Sequence, residues 1–284
     1  FKPLLFDACF LPAPHCYRCP FGRKTPCAGK SCKPAVEKLE ALLKRKSGET
    51  AAVVMEPLLQ AAAGMIVHPR GFLKDVETAC RKRGVLLIAD EVATGFGRTG
   101  RMFACEHEGV RPDIMTIAKG ITGGYLPLAA TLATRAIYSA FLGKYEEFKT
   151  FFHGHSYTGN PLACAAALAN IELFRKEKTL EKLPRKISEM SRGLDKFRRL
   201  DAVGDIRQAG LMAGIELVQD RKTKRAFPAK DAVGMKVCIR AREKGLIIRP
   251  LGDVIALVPP LSISEKQLKI MLDTVFGAVK EVTN

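Results

Sequence analysis

Two apolar runs in this chain end in groups able to do chemistry. VLLIADE (85–91) closes on Asp90 and Glu91, and DIMTIAKG (113–120) closes on a lone Lys119. In open α/β sheets, ligands sit beyond the carboxyl ends of the strands. Both side chains therefore fall where a functional group belongs. A lysine just past a buried strand is desolvated, which lowers its pKa and makes its amine a candidate nucleophile toward carbonyls. An acid at one strand end and an amine at the next can converge on one ligand. Pyridoxal phosphate would use that pair: the carboxylate keeps the pyridine nitrogen protonated and the amine bonds the aldehyde carbon. Plainer readings stand beside this one. Asp90 can cap a turn, and Lys119 can snorkel to the surface. An apolar run before Asp-Glu is also the form of a Walker B strand. No G-x-x-x-x-G-K-[ST] string occurs, and GITGGY (120–125) lacks the Lys-Ser/Thr pair of a P-loop.

The elements that must position these residues alternate. Val36, Leu39, Leu42 and Leu43 give a helical stripe over 34–46. A short strand follows at 51–55. Phe72 to Cys80 repeats at helical spacing, and Gly84 supplies the stop. Residues 85–89 are continuously apolar, as in a strand buried on both faces of a parallel sheet. Further strands are expected at 114–117 and 128–133. Asn160-Pro161 reads as N-cap and first helical residue of a helix running to about Phe174. From about Arg175 the charge density rises. Helices at 184–200, 231–244 and 264–281 then mix with strands at 206–208, 212–218, 246–248 and 254–258, an α+β pattern. The expected organisation is a larger α/β unit over 1–175, with a mostly parallel sheet flanked by helices, and a smaller α+β unit over 176–284.

Composition bounds the function. The chain has 284 residues, 47% hydrophobic and 26% charged, which are globular values. No run approaches the roughly 18–20 apolar residues of a membrane helix. The formal charge of +17 fits nucleic-acid binding, or an enzyme for anionic ligands. Cys80, Cys105, Cys164 and Cys238 are scattered singly and read as reduced core thiols, implying a reducing, cytoplasmic setting. Cys16, Cys19, Cys27 and Cys32 crowd into HCYRCPFGRKTPCAGKSC (15–32). Four thiolates could close a tetrahedral zinc site, but a Pro/Gly-rich loop with free thiols is the simpler reading, and no metal is expected. The chain opens on Phe1 within an apolar run, without the basic region and cleavage site of a signal peptide. An N-terminal part of the protein is expected to lie upstream.

MEPLLQAAAGM (55–65), LLIADEVATGFGRTGRMFACEH (86–107), PDIMTIAKGITGGYLPL (112–128) and HGHSYTGNPLACAAA (153–167) together resemble the class III, fold-type I pyridoxal-phosphate aminotransferases. The likeness is greatest to the branch that serves biotin synthesis. It implies that Lys119 holds the cofactor covalently and shuttles a proton. It implies that Asp90 pairs with the pyridine nitrogen and that Val92 packs on one face of the ring. His155 and Ser156 would reach the phosphate of a partner subunit's cofactor in a homodimer, and Gly154 would line the substrate side. Arg249, in IIRPLGD (247–253), would bind the substrate carboxylate, for which a guanidinium fork is suited. Glu56-Pro57 matches a strand-end pair of the family. Ala93 matches the biotin branch, where many relatives carry Gln. The implied reaction moves an amino group from S-adenosylmethionine, or lysine, onto 8-amino-7-oxononanoate (7-keto-8-aminopelargonate), giving 7,8-diaminopelargonate. Another class III ω-amino-acid or diamine aminotransferase is the alternative within the family, and a nucleotide- or nucleic-acid-binding protein is the alternative outside it. The upstream part would hold the phosphate loop, so the isolated chain is expected to bind cofactor poorly.

Overall fold

The computed structural model describes residues 2–4, 7–22, 27 and 31–284. Part of the cysteine loop, 23–26 and 28–30, lies outside the described residues, as do three residues of the apolar start. The first half runs α1 (Lys33–Arg45), β1 (Ala52–Met55), the hairpin β2 (Leu59–Gln60) and β3 (Ile66–Val67), α2 (Phe72–Arg83), β4 (Leu86–Asp90), β5 (Ile114–Ile117), β6 (Ala130–Ala133) and α3 (Arg135–Ala140). One sheet has the order β1-β4-β5-β6. Its first three strands are parallel and β6 is antiparallel to β5. Pro34 opens α1 within its first turn, and Gly84, at φ +64°, closes α2.

Helices α1 and α2 bury one face of this sheet, where Leu39, Leu43, Leu73 and Val76 meet Leu87 and Ala89. Strand alternation puts the other set of residues on the opposite face. The two-sided burial expected for 85–89 is not found there. Leu86, Ile88 and Asp90 are only half-buried, and Val54 on the edge strand is 66% exposed. A continuous apolar run does not say whether both faces are covered. Asp90 sits on this more open face.

The second half runs α4 (Pro161–Lys176), α5 (Thr179–Asp195), β7 (Val203–Ala209), β8 (Met212–Leu217), α6 (Val233–Glu243), β9 (Arg249–Leu251), β10 (Val254–Leu257) and α7 (Glu265–Thr283). The Asn160 side chain accepts from the Ala163 N–H, so the expected cap is in place. Helix α5 begins five residues before the expected start and carries Pro184 inside it. The apolar stripe explains the extension, because Leu180 and Leu183 continue the line of Ile187, Met190 and Leu194 into the core. The second sheet is antiparallel, in the order β7-β8-β10-β9. All six residues of β8 are buried, and α5, α6 and α7 contribute to its core. The strand expected at 246–248 lies instead at 249–251. The Gly252-Asp253 turn, with Gly252 at φ +61°, pairs Leu251 with Val254 and sets that register. Pro250 is tolerated because β9 is an edge strand.

A buried ion network joins the two sheets' surroundings. Arg207 on β7 is 8% exposed. It bonds Glu216 at 2.5 Å and Asp205 at 2.8 Å, and donates to the carbonyls of Gly64 and Met65 beside the β2–β3 hairpin. From the N-terminal segment, Arg18 reaches the same Glu216 at 2.5 Å and His15 lies 3.3 Å from Arg207. These contacts tether residues 15–18 to the second sheet.

Candidate active site

Strands β4 and β5 deliver the acid and the amine to one end of the first sheet. Asp90 is the last residue of β4 and is the register partner of Thr116 on β5. Its Oδ1 accepts from the Val92 N–H at 3.0 Å and from the Thr116 hydroxyl at 3.3 Å. The adjacent Glu91 is fully buried. It accepts from the Thr94 hydroxyl at 2.5 Å and from the Cys105 N–H at 2.9 Å. Of the two acids, Glu91 is thus consumed in holding the following loop, and Asp90 is left for other chemistry. Burial pushes the Cys105 thiol well up, with the Glu91 charge adding to the effect.

Lys119 follows two residues after β5 and opens a short 3-10 turn over Lys119–Thr122. Its φ is +47°, a conformation uncommon for a residue with a Cβ. The desolvation expected at a strand end is not met, because the side chain is exposed. Glu56, just after β1, is within electrostatic reach of both Asp90 and Lys119. Burial raises its pKa; the Asp90 charge adds to that shift and the Lys119 charge opposes it. Its Oε2 accepts from the Ala61 N–H at 2.9 Å. Acid, amine and a second acid therefore share one field.

Lys119 borders a cleft of about 940 Å³ between the first sheet's loop ends and the second sheet. Lys119, Val92 and Ala93 line one side and Arg249 lines another. Arg249 is exposed on β9. Arg98 also lines the cleft and donates to the Pro259 carbonyl at 2.5 Å. Burial lowers its pKa from the ordinary arginine value. Arg98, inside GFGRTG, is not among the residues that the sequence singles out. Neither is Thr116, whose signal is being the one polar residue of β5, IMTI.

Gly154, His155 and Ser156 are not brought to this cleft within one chain. They lie in an exposed segment, where the His155 Nδ1 accepts from the Tyr157 N–H and the His155 N–H donates to the Thr158 hydroxyl. Around them, Tyr145, Phe148, Phe152 and Tyr157 are between 72% and 91% exposed. Among the described residues, His15, Asp205 and Glu216 form the one group of three or more potential metal ligands in mutual reach. Arg207 and Arg18 already engage its carboxylates. Cys80, Cys105 and Cys238 are buried, whereas Cys164 is half-buried.

The donor set fits pyridoxal phosphate in kind. An exposed amine suits the aldehyde. Among the described residues both donors to Asp90 fall on Oδ1, so Oδ2 is available to a protonated ring nitrogen. Comparison with known proteins agrees. The family described as Aminotransferase class-III matches residues 4–279. The chain is 52% identical over 284 residues to the adenosylmethionine-8-amino-7-oxononanoate aminotransferase of Geobacter sulfurreducens, covering all of this chain and 62% of that protein. It thus spans less than two thirds of that relative's length. The crystal structure of the enzyme of that name from Methanocaldococcus jannaschii superposes with a TM-score of 0.85 at 46% identity, over 87% of this chain and 57% of that one. A thermostable (S)-enantioselective omega-transaminase from Thermomicrobium roseum gives 0.89 at 35% identity, over 96% and 60%. The chain belongs to the class III aminotransferases, which are fold-type I enzymes dependent on pyridoxal phosphate.

Proposed function

We propose that this chain carries the lysine, the acid and part of the substrate pocket of an aminotransferase of biotin biosynthesis. The reaction would convert 8-amino-7-oxononanoate to 7,8-diaminopelargonate, with S-adenosylmethionine or lysine as donor. The observation that carries the reading is the delivery of Asp90 and Lys119 by adjacent parallel strands, with Glu56 in electrostatic reach of both. The choice of substrate is supported by the identity with relatives of that name and by Ala93 in the cleft wall.

The bound cofactor would supply an electron sink for the carbon losing its proton. Lys119 would hold the cofactor and afterwards move a proton at the substrate carbon. Asp90 would keep the ring nitrogen protonated, and Val92 would press on the ring. Arg249 would anchor the keto acid's carboxylate through a charge-assisted fork. Gly154, His155 and Ser156 would serve the partner subunit's site in a homodimer, Ser156 donating to a phosphate. The exposed aromatic residues of 145–157 are the surface such a dimer would cover. The two structural units would divide near residue 175, as 1–175 and 176–284, at the junction of α4 and α5.

The second reading is an omega-transaminase with a different acceptor, favoured by the TM-score of 0.89. Holoenzyme supplied with 8-amino-7-oxononanoate and either S-adenosylmethionine or lysine separates the two. Formation of the diamine, read by mass spectrometry, is the expected result. Amination of simple ketones without any diamine from either donor would overturn the biotin assignment.

A further inference from the structure

We infer that Thr116 is a positioning residue for the cofactor: its hydroxyl fixes the Asp90 carboxylate so that the second oxygen faces the ring nitrogen. The inference rests on the reading of Asp90 as the partner of that nitrogen. An aspartate's χ2 is broad and roughly two-fold, so the plane of the carboxylate must be set by its hydrogen bonds. The Val92 N–H, two residues on in the same chain, gives one bond at 3.0 Å. A single bond leaves the group free to swing about it. The Thr116 hydroxyl reaches the same oxygen from the neighbouring strand at 3.3 Å. Two donors from two directions on Oδ1 remove that freedom and direct Oδ2 outward.

Thr116 is well placed for this by its own strand. It is the register partner of Asp90, so the two side chains stand on the same face of the sheet. Its carbonyl accepts from the Glu91 N–H at 2.9 Å, which ties the main chain just after the acid. A β-branched side chain is stiff at χ1, so the hydroxyl direction is defined. The remaining residues of β5 are Ile114, Met115 and Ile117. A valine at 116 would satisfy that strand equally well, and only the hydroxyl distinguishes the threonine. The same strand leads on to Lys119, so β5 aligns the acid from its middle and delivers the amine from its end.

The test compares holoenzyme carrying Thr116→Val, Thr116→Ser or Asp90→Asn with wild type. The readouts are the cofactor dissociation constant, measured by titrating apoenzyme with pyridoxal phosphate, and the pH midpoint of the visible absorption band. Thr116→Val is isosteric, so the apoenzyme's thermal midpoint should hold. Its affinity for cofactor should fall about tenfold, the low end for a bond to a charged group given its length, and the spectral midpoint should move. Thr116→Ser restores the donor and should lie close to wild type. If Thr116→Val matches wild type in both readouts while Asp90→Asn does not, the inference is overturned and the reading of Asp90 survives. If Thr116→Ser is as impaired as Thr116→Val, the methyl group matters rather than the hydroxyl, which also overturns it. Wild-type affinity and spectrum in Asp90→Asn would instead sink the reading of Asp90, and this inference with it.

Discussion

Replacing Gly210 by alanine is expected to weaken the fold and the cleft together. Gly210 forms the turn between β7 and β8 at φ +64°. A Cβ there would lie 2.3 Å from the Arg98 carbonyl oxygen and 2.4 Å from the Thr99 Cα. Both are main-chain atoms, so no rotamer change relieves the contact. Leu211 donates to that same Arg98 carbonyl at 2.9 Å, so the two turns cannot part without losing a bond. Left-handed strain on a non-glycine residue costs about 1–3 kcal/mol, and overpacking adds about 1–3 kcal/mol. The expected loss is therefore about 2–6 kcal/mol. Arg98 also lines the cleft, and a displacement of about 1 Å near reacting groups can reduce turnover on the order of 100-fold. Urea unfolding at constant m value and kcat/KM of the holoenzyme measure the two effects. Gly245→Ala is the control. That glycine has φ +83° with nothing within 4 Å of its would-be Cβ, so it reports strain alone and should leave kcat/KM unchanged. A Gly210→Ala variant no less stable than Gly245→Ala, with normal turnover, would refute the steric reasoning.

Arg249→Ala should act mainly on keto-acid binding, weakening it by about 1.5–3 kcal/mol, or roughly 10- to 100-fold. Unchanged affinity would remove Arg249 as the carboxylate anchor. His68 is buried, and neither ring nitrogen has a hydrogen-bond partner among the described residues. Burial lowers its pKa from 6.5 to about 4. Below the unfolded value the unfolded chain takes up a proton that the folded chain refuses, so this stabilisation is complete above 6.5 and is lost as pH falls toward 4. The span corresponds to about 3 kcal/mol. His68→Phe should flatten that part of the stability–pH curve, as read by urea unfolding at neutral and acid pH, and an unaltered slope would contradict it.

Much of this fold was legible because local rules and packing agree. Asn160-Pro161 starts a helix, Gly84 ends one, and the apolar run before Asp90 forms a strand. The displaced strand at 249–251 shows where local reading fails. Its register comes from pairing with β10 across the Gly252 turn, a non-local constraint. The open face of the first sheet was equally hidden, since an apolar run is compatible with one covered face or two. At the site, Asp90 and Lys119 stood out by residue type and strand-end position. Arg98 and Thr116 did not, because their contacts are with neighbours far away in sequence, at Pro259 and Asp90. Residues 154–156 lie beyond the reach of a single chain's cleft, so their placement depends on what covers that surface.

The central claim is that Lys119 is the amine that holds the cofactor. Holoenzyme reduced with borohydride, digested and mapped by mass spectrometry tests it directly. The expected result is a single pyridoxyl group on Lys119, absent from Lys119→Ala, which should also have no measurable transamination. A pyridoxyl group on any other lysine, or one retained in Lys119→Ala together with activity, would contradict the account.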